Sequence, residues 1–317
     1  MSPSSSFTRL TMGTTARIQV PEAEMAGGRA AALERAVAEA LEVFDEVQAT
    51  CSRFDPGSAL SRANAAPGRF HRLPRRCYAA VLSAQRAYAA TRGRFDPRVL
   101  GDLVRLGYDR SFEHVRHRQA AGACGGRRRE LGPWRPSFKG AGGEVRLGAH
   151  PIDLGGIGKG LAVAWASELL AARGVPVHLV EAGGDLQTGP VPAPGDDGWH
   201  IGVEDPAGGE TPVAVLELAG MGCATSSTRL RAWRAGGRDV HHLIDPKLGL
   251  PGGGGLSSVT VVAASVAWAE VWAKVLFLAG PQIGGLARRK GLAACWVTAS
   301  GEVATSPAME RHVIWRR

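Results

Sequence analysis

Apolar and polar positions divide this chain into helical runs interleaved with short strands. Ala16–Val20 alternates as a short strand, preceded by Met12, Gly13, Thr14 and Thr15 and by a start that reads as disordered. A helix is expected from about Gly28 to Gln48, where Leu33, Val37, Leu41, Phe44 and Val47 share one face. A short helical piece then ends near Asn64, and a further run, about Arg75–Thr91, is stopped by Gly93. Residues 110–150 are rich in Gly, Arg and His with little periodicity and read as a long loop or poorly ordered insertion.

The most informative pattern is PIDLGGIGKGLAVAWASELLAARG, residues 151–174. Ile152 and Leu154 end a short strand, Gly155 and Gly156 turn the chain, and an apolar helix begins near Lys159. Leu161, Trp165 and Leu169 recur at four-residue spacing and are expected to face inward, and Gly174 sits where a helix stops. Free N–H groups at such a helix start, with Lys159 beside them, suit a phosphate; the same glycines also occur for backbone reasons alone. GGIGKG has neither the spacing of a Walker A loop nor that of a dinucleotide fingerprint.

Farther on, strands are expected at Val177–Val180, Trp199–Val203, Val213–Leu218 and Ser257–Ala263, a helix at Val266–Leu278, and two short strands around Trp296 and His312. The first of these ends in EAGGD (residues 181–185), and the loop HHLIDP occupies residues 241–246.

Composition narrows the class. The 317 residues suffice for a substantial core, and the net charge of +9 is spread along the chain. Its one dense run, Arg127, Arg128 and Arg129, reads as a solvated loop, so nucleic acid is not an expected partner. Cys51, Cys77, Cys124, Cys223 and Cys295 are an odd set without CxxC, which implies neither a zinc site nor a complete set of disulfides. The first residues lack a signal-peptide core and a lipobox cysteine, which points to the cytoplasm. The longest apolar tract, residues 256–280, contains Glu270 and Lys274 and is not expected to span a membrane.

Polar or glycine-rich clusters stand near strand ends: Asp96, Asp153, Gly183 with Gly184 and Asp185, Ser226, and His242 with Asp245. Gathered at one side of a sheet they would surround a ligand; singly, Asp153 and Asp245 also suit turns and caps. His242 has an Asp three positions on that suits orienting an imidazole for proton transfer. Glu270 and Lys274 lie four apart, either as a surface ion pair or as a carboxylate reaching for a cation beside a phosphate.

Taken together, MGTT (12–15), SRFDPGSALSRAN (52–64), FDP (95–97), DLGGIGKG (153–160), EAGGDL (181–186), IGVEDP (201–206), ATSS (224–227), HLIDPKLGLP (242–251) and the stretch 257–280 resemble the ApbE-type FAD:protein FMN transferases. The resemblance implies an α+β fold of mixed and antiparallel sheets with packed helices, T-fold-like, as a single domain over residues 1–317. It implies that a Thr hydroxyl of an acceptor protein attacks the FMN phosphorus of FAD and that AMP leaves. Lys159 would touch the phosphates, Gly183 and Gly184 would let backbone approach the flavin, and Phe54 would stack on a ring. Met12, Asp96, Asp153, Asp185, Glu204, Thr225 and Asp245 would complete the FAD contacts. His242 would be the base and Ser226 a polar contact.

The resemblance also implies a magnesium site at Gly158, Glu270 and Lys274, the last two standing where the family has Asp and Thr. Lys is three donors with no acceptor, so Lys274 is not expected as a true ligand and instead repels Mg²⁺ unless it takes over that charge. Arg98 and Arg229 replace the family's usual Thr and Tyr and are expected to add cations near the pyrophosphate. Hydrolysis of FAD to FMN and AMP, or FAD binding without catalysis, are the alternatives these changes leave open.

Overall fold

The computed structural model describes residues 4–25, 29–112, 131–191, 197–229 and 231–317. Its centre is an eight-stranded sheet whose strands lie side by side in chain order: β1 (Ser4–Thr11), β2 (Thr14–Pro21), β3 (Leu179–Ala182), β4 (Asp185–Thr188), β5 (Gly222–Ser227), β6 (Leu256–Ala263), β7 (Ala293–Thr298) and β8 (Val303–Thr305). Every neighbouring pair is antiparallel. The helices are α1 (Ala30–Cys51), α2 (Ala59–Ala65), α3 (Arg75–Ala90), α4 (Leu100–Arg105), α5 (Gly158–Ala172), α6 (Val266–Leu278) and α7 (Ile283–Lys290). This is the α+β architecture expected.

The sheet is covered on both faces. Ile18, Val180, Ala224 and Val261 point into one core with α1, α5 and α6, whereas Leu186, Cys223 and Val262 point into a second core with a three-stranded sheet. That smaller sheet pairs Trp199–Val203 with Ala214–Leu218 and the latter with Val313–Arg316. Successive residues of a strand face opposite ways, so burial on both sides explains why the 257–263 run is apolar without alternation. Among the described residues no helix is long and apolar enough to cross a membrane.

Several sequence expectations change. Residues 4–11 form the edge strand β1, paired along its length with β2, rather than a disordered start. Within 110–150, Ser137–Lys139 and Glu144–Arg146 pair with each other and the latter with His71–Arg72. Trp134 is buried there and donates from Nε1 to the Leu147 carbonyl at 2.9 Å. Residues 113–130, including Cys124 and the three arginines, lie outside the described residues. In α5 the buried side chains are Leu161, Ala162, Val163, Ala164, Ala166, Ser167 and Leu170, while Trp165 and Leu169 are only half-buried. The helix is covered by α1, α6 and the sheet, so no single four-residue stripe marks its inner face.

The crossing of α5 over α6 sets up everything that follows. A Cβ on Gly160 would lie 2.9 Å from Ala267 Cα and 3.0 Å from the Val266 carbonyl oxygen. Gly160→Ala is therefore expected to force the two helices apart and cost about 1–3 kcal/mol. A urea-unfolding midpoint equal to that of the parent would refute this account of the crossing.

Candidate active site

A cleft of about 620 Å³ opens where the turn before α5, the end of α1 and the loops after α3 and β5 converge. Its walls are fixed by contacts distant in sequence. Asn64 donates to the Ile152 carbonyl and accepts from the Ile152 N–H, both at 2.8 Å, which holds the chain entering the glycine turn. Arg53 is buried: its Nε lies 3.1 Å from Asp153 Oδ1, and a terminal nitrogen donates to the Tyr108 carbonyl at 2.7 Å. Its guanidinium stacks 4.1 Å from the Phe54 ring centre and 4.5 Å from that of Tyr108. Phe54 remains 40% exposed, an open aromatic face at the cleft. Met12 also lines it, in the left-handed region (φ 53°) at the β1–β2 turn, an unfavourable conformation for a residue with a Cβ.

The glycine turn rests on a lysine. A Cβ on Gly156 would meet Phe95 at 2.9 Å and Lys274 Cδ at 3.4 Å, so the turn lies on the stem of a side chain from α6. The amide cradle expected here is partly consumed by the protein. Gly158 N–H donates to Leu154 O at 2.7 Å, and Gly160 N–H donates to Glu270 Oε2 at 2.9 Å. A carboxylate thus caps the positive end of α5.

Around that cap lie four charges. Lys159 Nζ donates to Asp185 and sits 3.6 Å from Glu270 Oε1, while Lys274 Nζ donates to the same Oε1 at 3.1 Å. The Asp185 and Glu270 side chains are each 1% exposed, and Lys159 and Lys274 are 15% and 16% exposed. Burial alone would lower the Lys159 pKa, but Asp185 and Glu270 override it and hold the ammonium above its usual range. Burial alone would raise Glu270, but Lys274 and Lys159 hold the carboxyl below its usual range. Glu270 and Lys274 are accordingly not a surface pair.

His242 lines the same cleft, with Nδ1 3.4 Å from the Arg231 carbonyl. A carbonyl only accepts, so in the neutral ring that contact puts the proton on Nδ1 and leaves Nε2 with its lone pair. Burial, then the charges of Arg231 and Lys274, push the His242 pKa well below 6.5. Arg231 also lines the cleft, and its guanidinium has no hydrogen-bond or ion-pair partner among the described residues.

Of the residues expected from sequence, Met12, Phe54, Asp96, Asp153, Gly158, Lys159, His242 and Lys274 line the cleft. Asp185 and Glu270 stand behind it as partners of the lysines. Gly183 and Gly184 form the exposed β3–β4 turn, both at positive φ (59° and 87°), and do not line it. Thr225 pairs across the sheet with Thr260 (Oγ1···Oγ1 2.9 Å), and Ser226 is buried with its Oγ lacking a protein partner among the described residues. Asp245 accepts from the Lys247 N–H at 2.8 Å and does not orient His242. Glu204 pairs with Arg229 outside the cleft. Arg98 is buried against Asp96 at 2.7 Å, so neither expected arginine is a spare cation. Sequence reasoning missed Arg53, Tyr108, Asn64 and Arg231; the Arg–Phe neighbours at 53 and 54 were the one local signal, since the others act through partners far along the chain.

The residues present do not fit a divalent cation. Glu270 has one oxygen on an amide and the other facing two ammonium groups, and Gly158 offers only a backbone carbonyl at the start of α5. Among the described residues no group of three or more His, Cys, Asp or Glu side chains is placed to hold a metal.

The sequence profile of the ApbE family matches residues 12–296. The chain belongs to the ApbE family. Similar curated proteins include an Escherichia coli K12 protein named FAD:protein FMN transferase, 31% identical over 153 residues, or 48% of this chain and 43% of that protein. A Treponema pallidum protein of the same name is 29% identical over 288 residues, covering 86% of this chain and 77% of its own length. The match thus spans less than half of the E. coli relative. In structure, the ApbE protein of Thermotoga maritima superposes with a TM-score of 0.79 at 24% identity, over 98% of this chain and 99% of that one. The apo flavinyl transferase ApbE of Pseudomonas stutzeri gives 0.76 at 24% identity, over 98% and 96%. These two establish the ApbE fold of this chain.

The histidines make this ApbE protein sensitive to acid. His178, buried between Ser167 Oγ (2.7 Å) and the Val175 carbonyl (2.8 Å), is held below 6.5 by burial, and burial pulls His241 down to about 4. Above pH 6.5 folded and unfolded chains both carry these rings neutral, so they leave stability unchanged. Below it the unfolded chain takes up protons that the folded chain refuses, and stability falls by about 1.4 kcal/mol per pH unit for each fully titrating ring. Unfolding free energies measured between pH 8 and pH 4.5 should show this decline, and His178→Gln should make it shallower; a level profile in the parent would disprove the assignment.

Proposed function

We propose that this chain transfers FMN from FAD to a Thr hydroxyl of an acceptor protein, with release of AMP. The observation that carries the proposal is one cleft in which an imidazole with an available Nε2 stands beside Lys159, Lys274 and Arg231. The names of the curated relatives support the same chemistry. Phosphoryl-type displacement needs positioning and charge stabilisation more than covalent help, and a cleft of fixed cations supplies both.

In the proposed reaction the flavin stacks on Phe54, stiffened by Arg53, and the pyrophosphate lies against the lysines and Arg231. Asp185 and Glu270 hold the two ammonium groups in place, Asp153 holds Arg53, and Asp96 holds Arg98. The Thr Oγ forms a bond to the FMN phosphorus. The bond from that phosphorus to the bridging oxygen breaks, AMP leaves with the electron pair, and the Thr proton passes to His242 Nε2. A deeply lowered histidine accepts that proton readily only when nearby negative charge offsets the cations, a role the substrate itself fills.

Mixing the protein with FAD and a Thr-containing acceptor, with and without Mg²⁺, and reading both products by mass spectrometry tests this. A phosphoester-linked flavin on the acceptor with an equal amount of AMP is expected; free FMN and AMP without an adduct would show hydrolysis instead. His242→Ala should slow AMP release about 10²–10⁴-fold while FAD still binds. Release at the parent rate from that variant would remove His242 from the mechanism.

A further inference from the structure

The formal charges of Lys159 and Lys274 on the cleft wall and of Asp185 and Glu270 behind it sum to zero. Lys159 and Lys274 are balanced by Asp185 and Glu270, at contacts of 3.1 and 3.6 Å for the pairs to Glu270 and a direct hydrogen bond between Lys159 and Asp185. Among the described residues two arginines line the cleft without a side-chain partner, the exposed Arg94 and the half-buried Arg231, and Arg231 is the one whose charge reaches the site's lysine and imidazole. Its guanidinium has no protein partner among the described residues, yet its charge is felt by both Lys159 and His242. A guanidinium left unpaired on the wall of a cleft, beside two ammonium groups with N–H donors to spare, is built for a multiply charged oxyanion.

From this we infer that Arg231 is a substrate-binding residue which, with Lys274, holds a nucleotide's pyrophosphate without a divalent cation. The inference rests on the transferase reading for the identity of the nucleotide, and on this chain's own geometry for the absence of a metal requirement. Three features converge. Lys274 Nζ already sits on the carboxylate that a cation would need. That carboxylate's second oxygen is committed to the Gly160 amide. The Lys274 stem runs beside Gly156 and its ammonium is held on the buried Glu270 carboxylate, a placed charge at the cleft. Fixed cations stabilise an anion without reorganising when it arrives, the same service a bound metal would give.

ADP probes the pyrophosphate without the flavin, and riboflavin probes the flavin without phosphate. Equilibrium binding of each to the full chain, in EDTA and in Mg²⁺, is the test. ADP affinity is expected to agree within about twofold between the two buffers, and Arg231→Gln should weaken ADP roughly tenfold or more while leaving riboflavin unchanged. The ADP affinity of the parent should fall with added salt, and the Arg231→Gln variant should show a shallower fall. Arg229→Gln, whose guanidinium pairs with Glu204 outside the cleft, should bind ADP as the parent does. Binding of ADP that needs Mg²⁺, or an Arg231→Gln variant with parental ADP affinity, overturns the inference and leaves the transferase reading standing. Failure of both FAD and ADP to bind in either buffer overturns the two together.

Discussion

The arrangement depends on one contact between secondary structures: the Glu270 carboxylate of α6 seated on the first turn of α5. Gly160 permits the approach because a side chain there would strike the α6 backbone. Glu270 then caps the Gly160 amide with one oxygen and gathers Lys159 and Lys274 with the other. A buried carboxylate is costly unless paired, and a buried ammonium equally so. Each member of the group is therefore tolerable only because the others are present, and removing one partner of such a pair typically costs about 3–5 kcal/mol. Apolar substitutes would bury as well or better. What they would not do is present two oriented ammonium groups to the cleft.

Much of the frame was legible from hydrophobic spacing. The α1 stripe Leu33, Val37, Leu41, Phe44 and Val47 is buried as the helical period requires, and Val266–Leu278 is the α6 helix residue for residue. Strand Trp199–Val203 also lies where alternation placed it. The failures share a cause. Trp165 and Leu169 satisfied the helical period, but a helix enclosed by α1, α6 and the sheet has more than one inner face, and Ala162 and Ala166 are among the residues buried there. The first strand was unreadable because its register is supplied by β2, which it pairs with from Ser4 to Thr11.

Site residues were legible by segment and not by role. DLGGIGKG did mark the cleft, yet the close approach that calls for Gly156 is that of the Phe95 ring, from a segment far earlier in the chain. Glu270 and Lys274 fitted a solvated ion pair equally well by spacing, and only burial separates that from a charged network. Arg98 and Arg229 looked like added cations because charge is visible in sequence and neutralisation is not. Asp96 cancels the first and Glu204 the second. Arg231, which lines the cleft with no side-chain partner among the described residues, has no sequence feature setting it apart from those two.

The lysines, Arg231 and His242 then belong to one electrostatic problem. Burial lowers the His242 pKa, and the same cations that would attract a pyrophosphate lower it further. When a pyrophosphate enters, its negative charge opposes Arg231 and Lys274 at close range, and the penalty on an imidazolium shrinks. In the proposed transfer His242 would thereby gain basicity with the substrate in place, and departure of AMP would take negative charge away and bias the ring toward giving its proton up. The cations thus couple proton acceptance to occupancy of the anion site, and no movement of the backbone is needed for that coupling.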